Sequence, residues 1–451
     1  MVSLSLSQAA QVLGARQRGD DISFRGVSTD TRTLSEGNLF VALQGPNFDG
    51  HDYLQQALAC GAAGAVVSRA PDLDLPALEV PDTRIALGQL AAYWRSRFST
   101  PCIAITGSNG KTSVKEMLAS ILSGCGETLV TRGNLNNDIG VPLTLFRLGS
   151  EHRYAVIEMG ANHAGEIAYL TSLAQPQVGV VNNAGPAHLE GFGDLAGVAE
   201  AKGELFSSMH VDSVCVINAD DQFAARWREL AGARPVKSFG LEAPADVSAD
   251  WRGDINGSDI ELRTPAGTAN LHLPLPGRHN VMNALAATAA ALALNVPLQA
   301  IVTGLASVQP VHGRWEACPG INGMQLIDDT YNANPGSLHA ALQLLAGAGA
   351  ETWLVLGDMG ELGASGAALH REVGAAAAQL GVRRLFALGT LAEHAAQQFG
   401  AGAEVCSDMN DLISRLRDAA QPDVVMLVKG SRSMRMERVI EALRYDAAED
   451  V

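Results

Sequence analysis

Short apolar runs recur along the chain, separated by stretches in which apolar residues keep helical spacing. The runs cover residues 102–106, 155–159, 178–181, 214–217, 353–356, 385–388 and 424–428. Most of them are followed by Gly, Asn or Asp, which favour turns. Strands that alternate with helices predict parallel βαβ units, and in such units ligands bind at the carboxyl ends of the strands.

The same pattern divides the 451 residues into three segments. Residues 1–81 end in a short connector that contains a proline, residues 82–312 follow, and residues 313–451 form an Ala-rich run of further βα units. Within the second segment, residues 244–276 are rich in Asp, Thr, Gly and β-forming residues and predict antiparallel strands. Because the chain exceeds the size of one hydrophobic core, we expect each segment to be a domain.

Composition and charge limit the possible partners. Hydrophobic residues make up 47% of the chain and charged residues 18%, which is typical of a globular protein. The formal net charge of −16 argues against nucleic acid as a partner, although a small phosphorylated ligand needs only a local basic site. No apolar run approaches the roughly 20 residues that span a bilayer, and residues 1–11 show no signal-peptide pattern. We therefore predict a cytoplasmic protein without membrane insertion.

The cysteines predict no metal or redox site, because no two of them stand at the spacing that such sites need. We expect buried free thiols in a reducing compartment at all six positions: Cys60, Cys102, Cys125, Cys215, Cys318 and Cys406.

The most specific motif is a glycine-rich loop between a predicted strand and a predicted helix. It consists of Thr106, Gly107, Ser108, Asn109, Gly110, Lys111 and Thr112. Backbone N–H groups of such a loop bind phosphate, the lysine contacts the β- and γ-phosphates, and the Thr hydroxyl is a ligand for Mg²⁺. Only two residues separate Gly107 from Gly110, fewer than in the general phosphate-loop pattern, so an ordinary glycine turn is the alternative.

Other polar residues follow strands or lie on helices near this loop. Glu158 ends an apolar strand, where a carboxylate either binds Mg²⁺ or faces solvent. His188 follows another strand on a glycine-rich loop, and a lone histidine is more often structural than a ligand. From the residues alone, Lys202 is an exposed helix lysine and Arg314 belongs to a surface ion pair.

The loop T-G-S-N-G-K-T resembles the ATP loop of the Mur ligase family, the amino-acid-adding enzymes of peptidoglycan synthesis, and of their folylpolyglutamate synthetase relatives. Matching motifs extend from Ser28 to Met434. The block R-G-N-L-N-N-D-I-G-V-P-L-T-L at 132–145 and D-T-Y-N-A-N-P at 329–335 are similar to members that add a dipeptide. The D-N-P-R signature of members that add a diamino acid is absent.

The resemblance implies an α/β fold with three domains. These are a small N-terminal α/β domain that binds a UDP-substrate (1–81), a central P-loop ATPase-like domain with a mostly parallel sheet (82–312), and a C-terminal Rossmann-like ligase domain (313–451). The implied activity is ATP-dependent addition of D-alanyl-D-alanine to UDP-N-acetylmuramoyl-tripeptide through an acyl phosphate. Another amide ligase of the family with a different acceptor and a non-catalytic nucleotide switch are the alternatives.

The resemblance also implies roles for individual residues. ATP is expected on the loop from Thr106 to Thr112, with its adenine at Asn283, its phosphates at Arg314 and its ribose at Asp329. Two Mg²⁺ ions are expected, one held by Thr112 and Glu158 and a second by His188, with Lys202 supporting a metal if it is carbamoylated. The expected catalytic residues are Lys111, Glu158, His188 and Lys202.

The expected substrate-binding residues lie in all three segments: Ser28, Thr29, Asp30, Thr31, Arg32, Asn47, Asp49, His51, Asn134, Asn136, Asn137, Tyr331, Asn334, Lys429, Ser431 and Arg432. We expect a monomer with a hinge near Gly313. We also expect an open arrangement that keeps Arg314 too far from the Lys111 loop to share a phosphate with it.

Overall fold

The computed structural model describes residues 3–186, 189–349 and 351–445. It is an α/β structure in which each of the three predicted segments contains its own main sheet. Within these ranges, no helix is long and apolar enough to cross a membrane.

The first segment is built on a five-stranded sheet of order β2-β9-β8-β5-β4, in which only the β2–β9 pair is antiparallel. Its strands are β1 (Leu4–Ser5), β2 (Arg16–Arg18), β3 (Ser23–Phe24), β4 (Val27–Ser28), β5 (Leu39–Val41), β6 (Gln44–Gly45), β7 (Phe48–Asp49), β8 (Gly64–Val67) and β9 (Ala77–Glu79). Its helices are α1 (Leu6–Leu13) and α2 (Leu54–Ala59), with a 3-10 turn at Gly50–Tyr53.

The second segment contains a six-stranded parallel sheet of order β11-β12-β10-β13-β14-β15, followed by an antiparallel sheet β16-β17-β18. The strands are β10 (Cys102–Thr106), β11 (Thr128–Val130), β12 (Tyr154–Glu158), β13 (Val178–Val181), β14 (Val214–Asn218), β15 (Val236–Phe239), β16 (Ser248–Gly253), β17 (Ser258–Thr264) and β18 (Gly267–Leu273). The helices are α3 (Thr83–Ser96), α4 (Lys111–Ser123), α5 (Gly140–Leu145), α6 (Glu166–Ala174), α7 (Leu189–Phe192), α8 (Leu195–Ser208), α9 (Ala224–Ala231), α10 (Arg278–Ala293) and α11 (Leu298–Ala306).

The third segment contains a sheet of order β19-β20-β24-β21-β22-β23, parallel except for β19. Its strands are β19 (Glu316–Pro319), β20 (Gln325–Asp329), β21 (Glu351–Gly357), β22 (Arg384–Leu388), β23 (Ala403–Cys406) and β24 (Val424–Lys429). Its helices are α12 (Pro335–Ala346), α13 (Gly366–Gln379), α14 (Ala392–Phe399), α15 (Met409–Ala419) and α16 (Glu437–Leu443), with 3-10 turns at Ile321–Gly323, Gly363–Ser365 and Arg432–Met434.

The first and second segments share an apolar core, whereas the third segment has separate apolar clusters. One cluster runs from Leu4 and Leu6 in the first segment through Leu87 to Trp227 in the second, so these segments share a core. The two clusters of the third segment are made of residues from Trp315 onward. The third segment therefore has a core of its own, and none of the described clusters extends across its junction with the second segment.

The predicted strands and the antiparallel insertion at 244–276 are confirmed, with shifts of a few residues at their ends. The strand expected at 155–159 is β12 (Tyr154–Glu158), and the strand expected at 353–356 extends over β21 (Glu351–Gly357). All six cysteines are free thiols, but the prediction that all are buried is wrong, because Cys60 is exposed and Cys125 is half-buried.

We predict that Gly374→Ala destabilises the third segment. A Cβ at Gly374, on α13, would lie 2.1 Å from the carbonyl oxygen of Ala395, a backbone atom of α14. The overlap should outweigh the gain in helix propensity and cost about 1–3 kcal/mol. The measurement is the urea midpoint by circular dichroism. The control is Gly347→Ala, whose Cβ would meet its nearest neighbour at 3.4 Å; equal midpoints for both variants would contradict the packing account.

Candidate active site

The glycine-rich loop connects β10 to α4 at the carboxyl edge of the central parallel sheet. Gly110 has φ +78°, and a Cβ there would lie 2.2 Å from Oδ1 of Asn283, so only glycine fits. The loop backbone is held by the segment that follows β13: Ser108 N donates to the Asn183 carbonyl (3.1 Å), and Asn109 N donates to Asn183 Oδ1 (2.8 Å). The loop is thus fixed before any ligand contacts it.

Lys111, the first residue of α4, folds back over the loop. Its Nζ donates to the Gly107 carbonyl at 2.7 Å. Burial lowers the pKa of Lys111, the Arg314 charge lowers it further, and Glu158 opposes the shift. An anionic phosphate would favour the charged ammonium, because it supplies the negative charge that the loop lacks.

Glu158 ends β12 beside the loop and is almost completely buried, with 2% of its surface exposed. Its Oε2 accepts from Thr112 Oγ1 (3.0 Å) and its Oε1 from Asn136 Nδ2 (2.8 Å). The carboxylate and the hydroxyl are hard oxygen donors side by side at the phosphate loop, which is the donor set that Mg²⁺ prefers. These residues fit a magnesium ion, and the alternative of a solvent-facing acid at Glu158 is wrong.

Lys202 lies on α8 and is buried, with 1% of its surface exposed, so the interpretation as an exposed helix lysine is wrong. Its Nζ is 3.5 Å from the Ala161 carbonyl oxygen and 5.2 Å from the centre of the Phe192 ring. Burial lowers the pKa of Lys202 to about 7, and the charge of Lys111 acts in the same direction. The prediction for His188 lies outside the described residues.

Asn283 lies on α10 and faces the loop from the other side. Its Oδ1 accepts from Asn182 Nδ2 (2.9 Å), and its Nδ2 donates to Asn280 Oδ1 (3.3 Å). Four buried polar atoms around the site make no hydrogen bond within the described chain: Thr106 Oγ1, Asn182 Oδ1, Arg314 Nε and Trp315 Nε1. Since unpaired buried polar atoms are costly, they indicate where a polar ligand binds.

Two hydrogen bonds among the described residues join the third segment to the phosphate loop. Arg314 Nη2 donates to Thr112 Oγ1 (3.1 Å), and Asn334 Nδ2 donates to Asn109 Oδ1 (2.7 Å). The guanidinium of Arg314 stacks over the Tyr331 ring at 4.3 Å and is not in the surface ion pair expected from the residues alone. The expectation of an open arrangement is wrong for this structure, because Arg314 already reaches the loop.

Asp329 and Lys429 form an ion pair at the carboxyl ends of β20 and β24. Lys429 Nζ donates to Asp329 Oδ2 at 2.5 Å and to the Asn332 carbonyl at 3.1 Å. Burial raises the pKa of Asp329, while the charge of Lys429 opposes the rise. Asp328, the preceding residue, instead accepts a hydrogen bond from the Thr330 hydroxyl (2.6 Å). The two aspartates therefore have different partners and do not form a catalytic pair of carboxylates.

A cavity of about 840 Å³ lies between the second and third segments and brings most of the predicted residues together. From the predicted set its lining contains Ser108, Asn109, Gly110, Lys111, Thr112, Asn134, Asn136, Asn137, Glu158, Asn283, Arg314, Asp329, Tyr331, Asn334 and Lys429. Ser431 and Arg432 lie outside it: Ser431 Oγ accepts from Gly360 N (2.6 Å), and Arg432 pairs with Glu437.

The predicted residues of the first segment make local polar contacts of their own. Arg32 pairs with Asp30, and Asp49 accepts from the backbone and ring nitrogens of His51. Hydrogen bonds from Gln44 and His51 lower the pKa of Asp49. Among the described residues that line the cavity, there is none of these predicted residues: Ser28, Thr29, Asp30, Thr31, Arg32, Asn47, Asp49 and His51.

Some contacts of the site were not predicted from the sequence. Asn136, a predicted substrate-binding residue, also donates to Glu158, and Asn137 Oδ1 accepts from Gly140 N at the start of α5. His279 also lines the cavity, and burial together with the Lys429 charge lowers its pKa to about 4. In the sequence, the one sign that His279 faces the cavity is its position beside Asn280 and close to Asn283 on the same helix.

Family models match the chain in three consecutive parts. They are the Mur ligase family catalytic domain over residues 23–95, the Mur ligase middle domain over 105–291, and the Mur ligase glutamate ligase domain over 313–432. Together they cover most of the three main sheets.

Individual relatives match almost the full length. UDP-N-acetylmuramoyl-tripeptide–D-alanyl-D-alanine ligase of Escherichia coli strain K12 is 48% identical over 98% of this chain and 99% of that protein. The Bacillus subtilis ligase of the same name is 34% identical over 93% of both.

Solved structures show the same arrangement. MurF from Acinetobacter baumannii superposes with a TM-score of 0.93 at 38% identity, covering 98% of each chain. The MurF ligase from Thermotoga maritima in complex with ADP gives a TM-score of 0.83 at 27% identity, covering 93% of this chain and 96% of that one. The protein therefore belongs to the Mur ligase family.

Proposed function

We propose that this protein is a dipeptide-adding Mur ligase whose chemistry takes place in the cavity between the second and third segments. It is an ATP-dependent ligase that adds D-alanyl-D-alanine to UDP-N-acetylmuramoyl-tripeptide in peptidoglycan precursor synthesis. The observation that carries the site assignment is the meeting of Lys111, Glu158 and Arg314 around one phosphate loop. We place the domain boundaries at 81/82 and 312/313.

The reaction follows from the poor reactivity of a carboxylate toward amines. An oxygen of the tripeptide carboxylate attacks the γ-phosphorus of ATP, ADP leaves, and an acyl phosphate forms. The dipeptide amine then attacks the acyl carbon, and the tetrahedral intermediate expels phosphate as the nitrogen loses a proton. Lys111 lies against the loop backbone at Gly107 and Arg314 contacts Thr112, so both cations can stabilise the charge of the transferring phosphoryl group.

Glu158 and Thr112 would hold Mg²⁺, and Asn136 would orient the carboxylate toward it. The ion supplies positive charge that neutralises the phosphate oxygens. We assign the adenine to the face of Asn283 and the ribose to Asp329, which line the same cavity. The polar residues around Asp30 and those around Asp49 and His51 are the candidates for binding the uridine diphosphate.

Lys202 is the candidate for carbamoylation. Carbon dioxide reacts with an unprotonated amine, and a lysine whose pKa is about 7 has a substantial unprotonated fraction at neutral pH. The product is a carboxylate on a long side chain in a buried position, close enough to the site to be affected by the charge of Lys111.

The activity is tested by measuring ADP release. We expect release only when UDP-N-acetylmuramoyl-tripeptide and D-alanyl-D-alanine are both present, and a loss of at least about a thousandfold in Lys111→Ala, because Lys111 stabilises transition-state charge. The control is Lys237→Ala, since Lys237 lies on β15 outside the cavity lining. ADP release that is indifferent to both substrates would refute the ligase assignment.

Replacement of Glu158 by Gln should raise the Mg²⁺ concentration for half-maximal activity by about tenfold or more, because a neutral amide is a weaker ligand. The measurement is a Mg²⁺ titration of ADP release at fixed ATP. Glu261→Gln, on the exposed antiparallel sheet, is the control. If the two variants give the same titration curve, Glu158 does not bind the metal.

Lys202→Ala should lose activity and regain part of it in acetate or formate. A small carboxylate replaces the carbamate, whereas it cannot replace an ammonium group. Lys111→Ala serves as the control, because its missing group is a cation and added anions should leave it inactive. Absence of any rescue of Lys202→Ala would argue against carbamoylation.

A further inference from the structure

Asn334 uses both ends of its side-chain amide, one within its own segment and one across the cavity. As the residue before α12, it accepts from Ser337 N through Oδ1 (2.9 Å) and caps the helix. Its Nδ2 donates to Asn109 Oδ1 in the phosphate loop (2.7 Å). A single side chain thus joins the start of a helix in the third segment to the loop of the second.

The donor and acceptor roles in this contact are fixed by the surroundings. The helix cap requires an acceptor, so the oxygen of Asn334 must face Ser337 and its NH₂ must face the loop. The matching atom of Asn109 is then its oxygen. The Asn109 amide nitrogen lies beside Gly185 and Gly336, where added Cβ atoms would be 3.6 Å and 3.5 Å away.

The backbone of Asn109 has its partners within the second segment. Its N–H donates to Asn183 Oδ1, and its carbonyl accepts from Asn182 Nδ2 (3.0 Å) and Asn183 Nδ2 (3.1 Å). The side chain of Asn109 is therefore the part of the residue that meets the third segment. A contact of this side chain with the third segment therefore acts on a part of the loop whose backbone is already held by hydrogen bonds.

We propose that Asn334 is a positioning residue that couples closure of the third segment to the geometry of the phosphate loop. In the loop, Asn109 precedes Lys111 and Thr112 follows it. The hydrogen bonds from Asn334 to Asn109 and from Arg314 to Thr112 therefore hold the loop before and after the lysine. Both form only when the third segment lies against the loop. The inference rests on the proposed ligase function and replaces the expectation that Asn334 binds the substrate.

An interaction made only in the closed arrangement affects turnover more than the binding of nucleotide to the open loop. Asn334→Ser keeps a good helix cap but cannot reach Asn109. We expect its kcat to fall about two- to tenfold, the effect of one hydrogen bond. The Kd for ATP without the other substrates should stay within about twofold of the wild-type value.

The decisive experiment is a double-mutant cycle on kcat with Asn334→Ser, Asn109→Ala and the double variant. We expect the double variant to be no slower than the slower single variant, because each change removes the same bond. Asp408→Ser, at the cap of α15 in the same segment, is the control for the same kind of exchange at an uncoupled helix cap and should keep wild-type kcat.

Independent, multiplying effects of the two substitutions, or an unchanged kcat in Asn334→Ser, would overturn the proposal. So would a Kd for ATP that weakens as much as kcat falls. If Asn334→Ser folds poorly, Asn109→Ala carries the test alone, since it caps no helix: its kcat must fall while its melting temperature and its Kd for ATP stay unchanged. Wild-type protein that is inactive on the two substrates would refute the function instead.

Discussion

The arrangement of the site depends on the hydrogen bonds that side-chain amides make to the phosphate loop. Asn182 and Asn183, just beyond β13, form hydrogen bonds with the backbone of Asn109. Asn283, on α10, accepts a hydrogen bond from the side-chain amide of Asn182. These bonds fix a loop whose glycines would otherwise leave it mobile. Preorganised N–H groups and a preorganised lysine stabilise charge without reorganising during the reaction, so the loop can serve phosphoryl transfer.

The distribution of apolar cores explains which parts of the molecule can move. The first and second segments share one cluster, whereas the clusters of the third segment are its own. Hydrogen bonds from Arg314 and Asn334 join the second and third segments without a shared core among the described residues, and interfaces of limited apolar content are common between domains that move relative to each other. Such a junction suits an acyl-phosphate intermediate, which must be protected from water and yet released as product.

Much of the fold and part of the site could be predicted from the sequence, because buried parallel strands are continuous apolar runs and because the loop motif is specific. The burial of Lys202 could not, since a lysine among Ala and Glu on a helix gives no local sign of which face is covered. The hydrogen bonds that Asn136 and Asn334 make could not be predicted from the sequence either. They join residues that are far apart in sequence, and an asparagine near a turn is equally typical of a cap, a ligand or a solvent-exposed loop.

The central claim is that the tripeptide carboxylate is phosphorylated before the amide bond forms. It is tested most directly by using UDP-N-acetylmuramoyl-tripeptide labelled with ¹⁸O in its terminal carboxylate and analysing the phosphate released with ADP by mass spectrometry. If an acyl phosphate forms, one labelled oxygen is transferred to each phosphate, because the oxygen that attacked phosphorus leaves with it. Phosphate free of ¹⁸O, with normal formation of the amide product, would contradict the account.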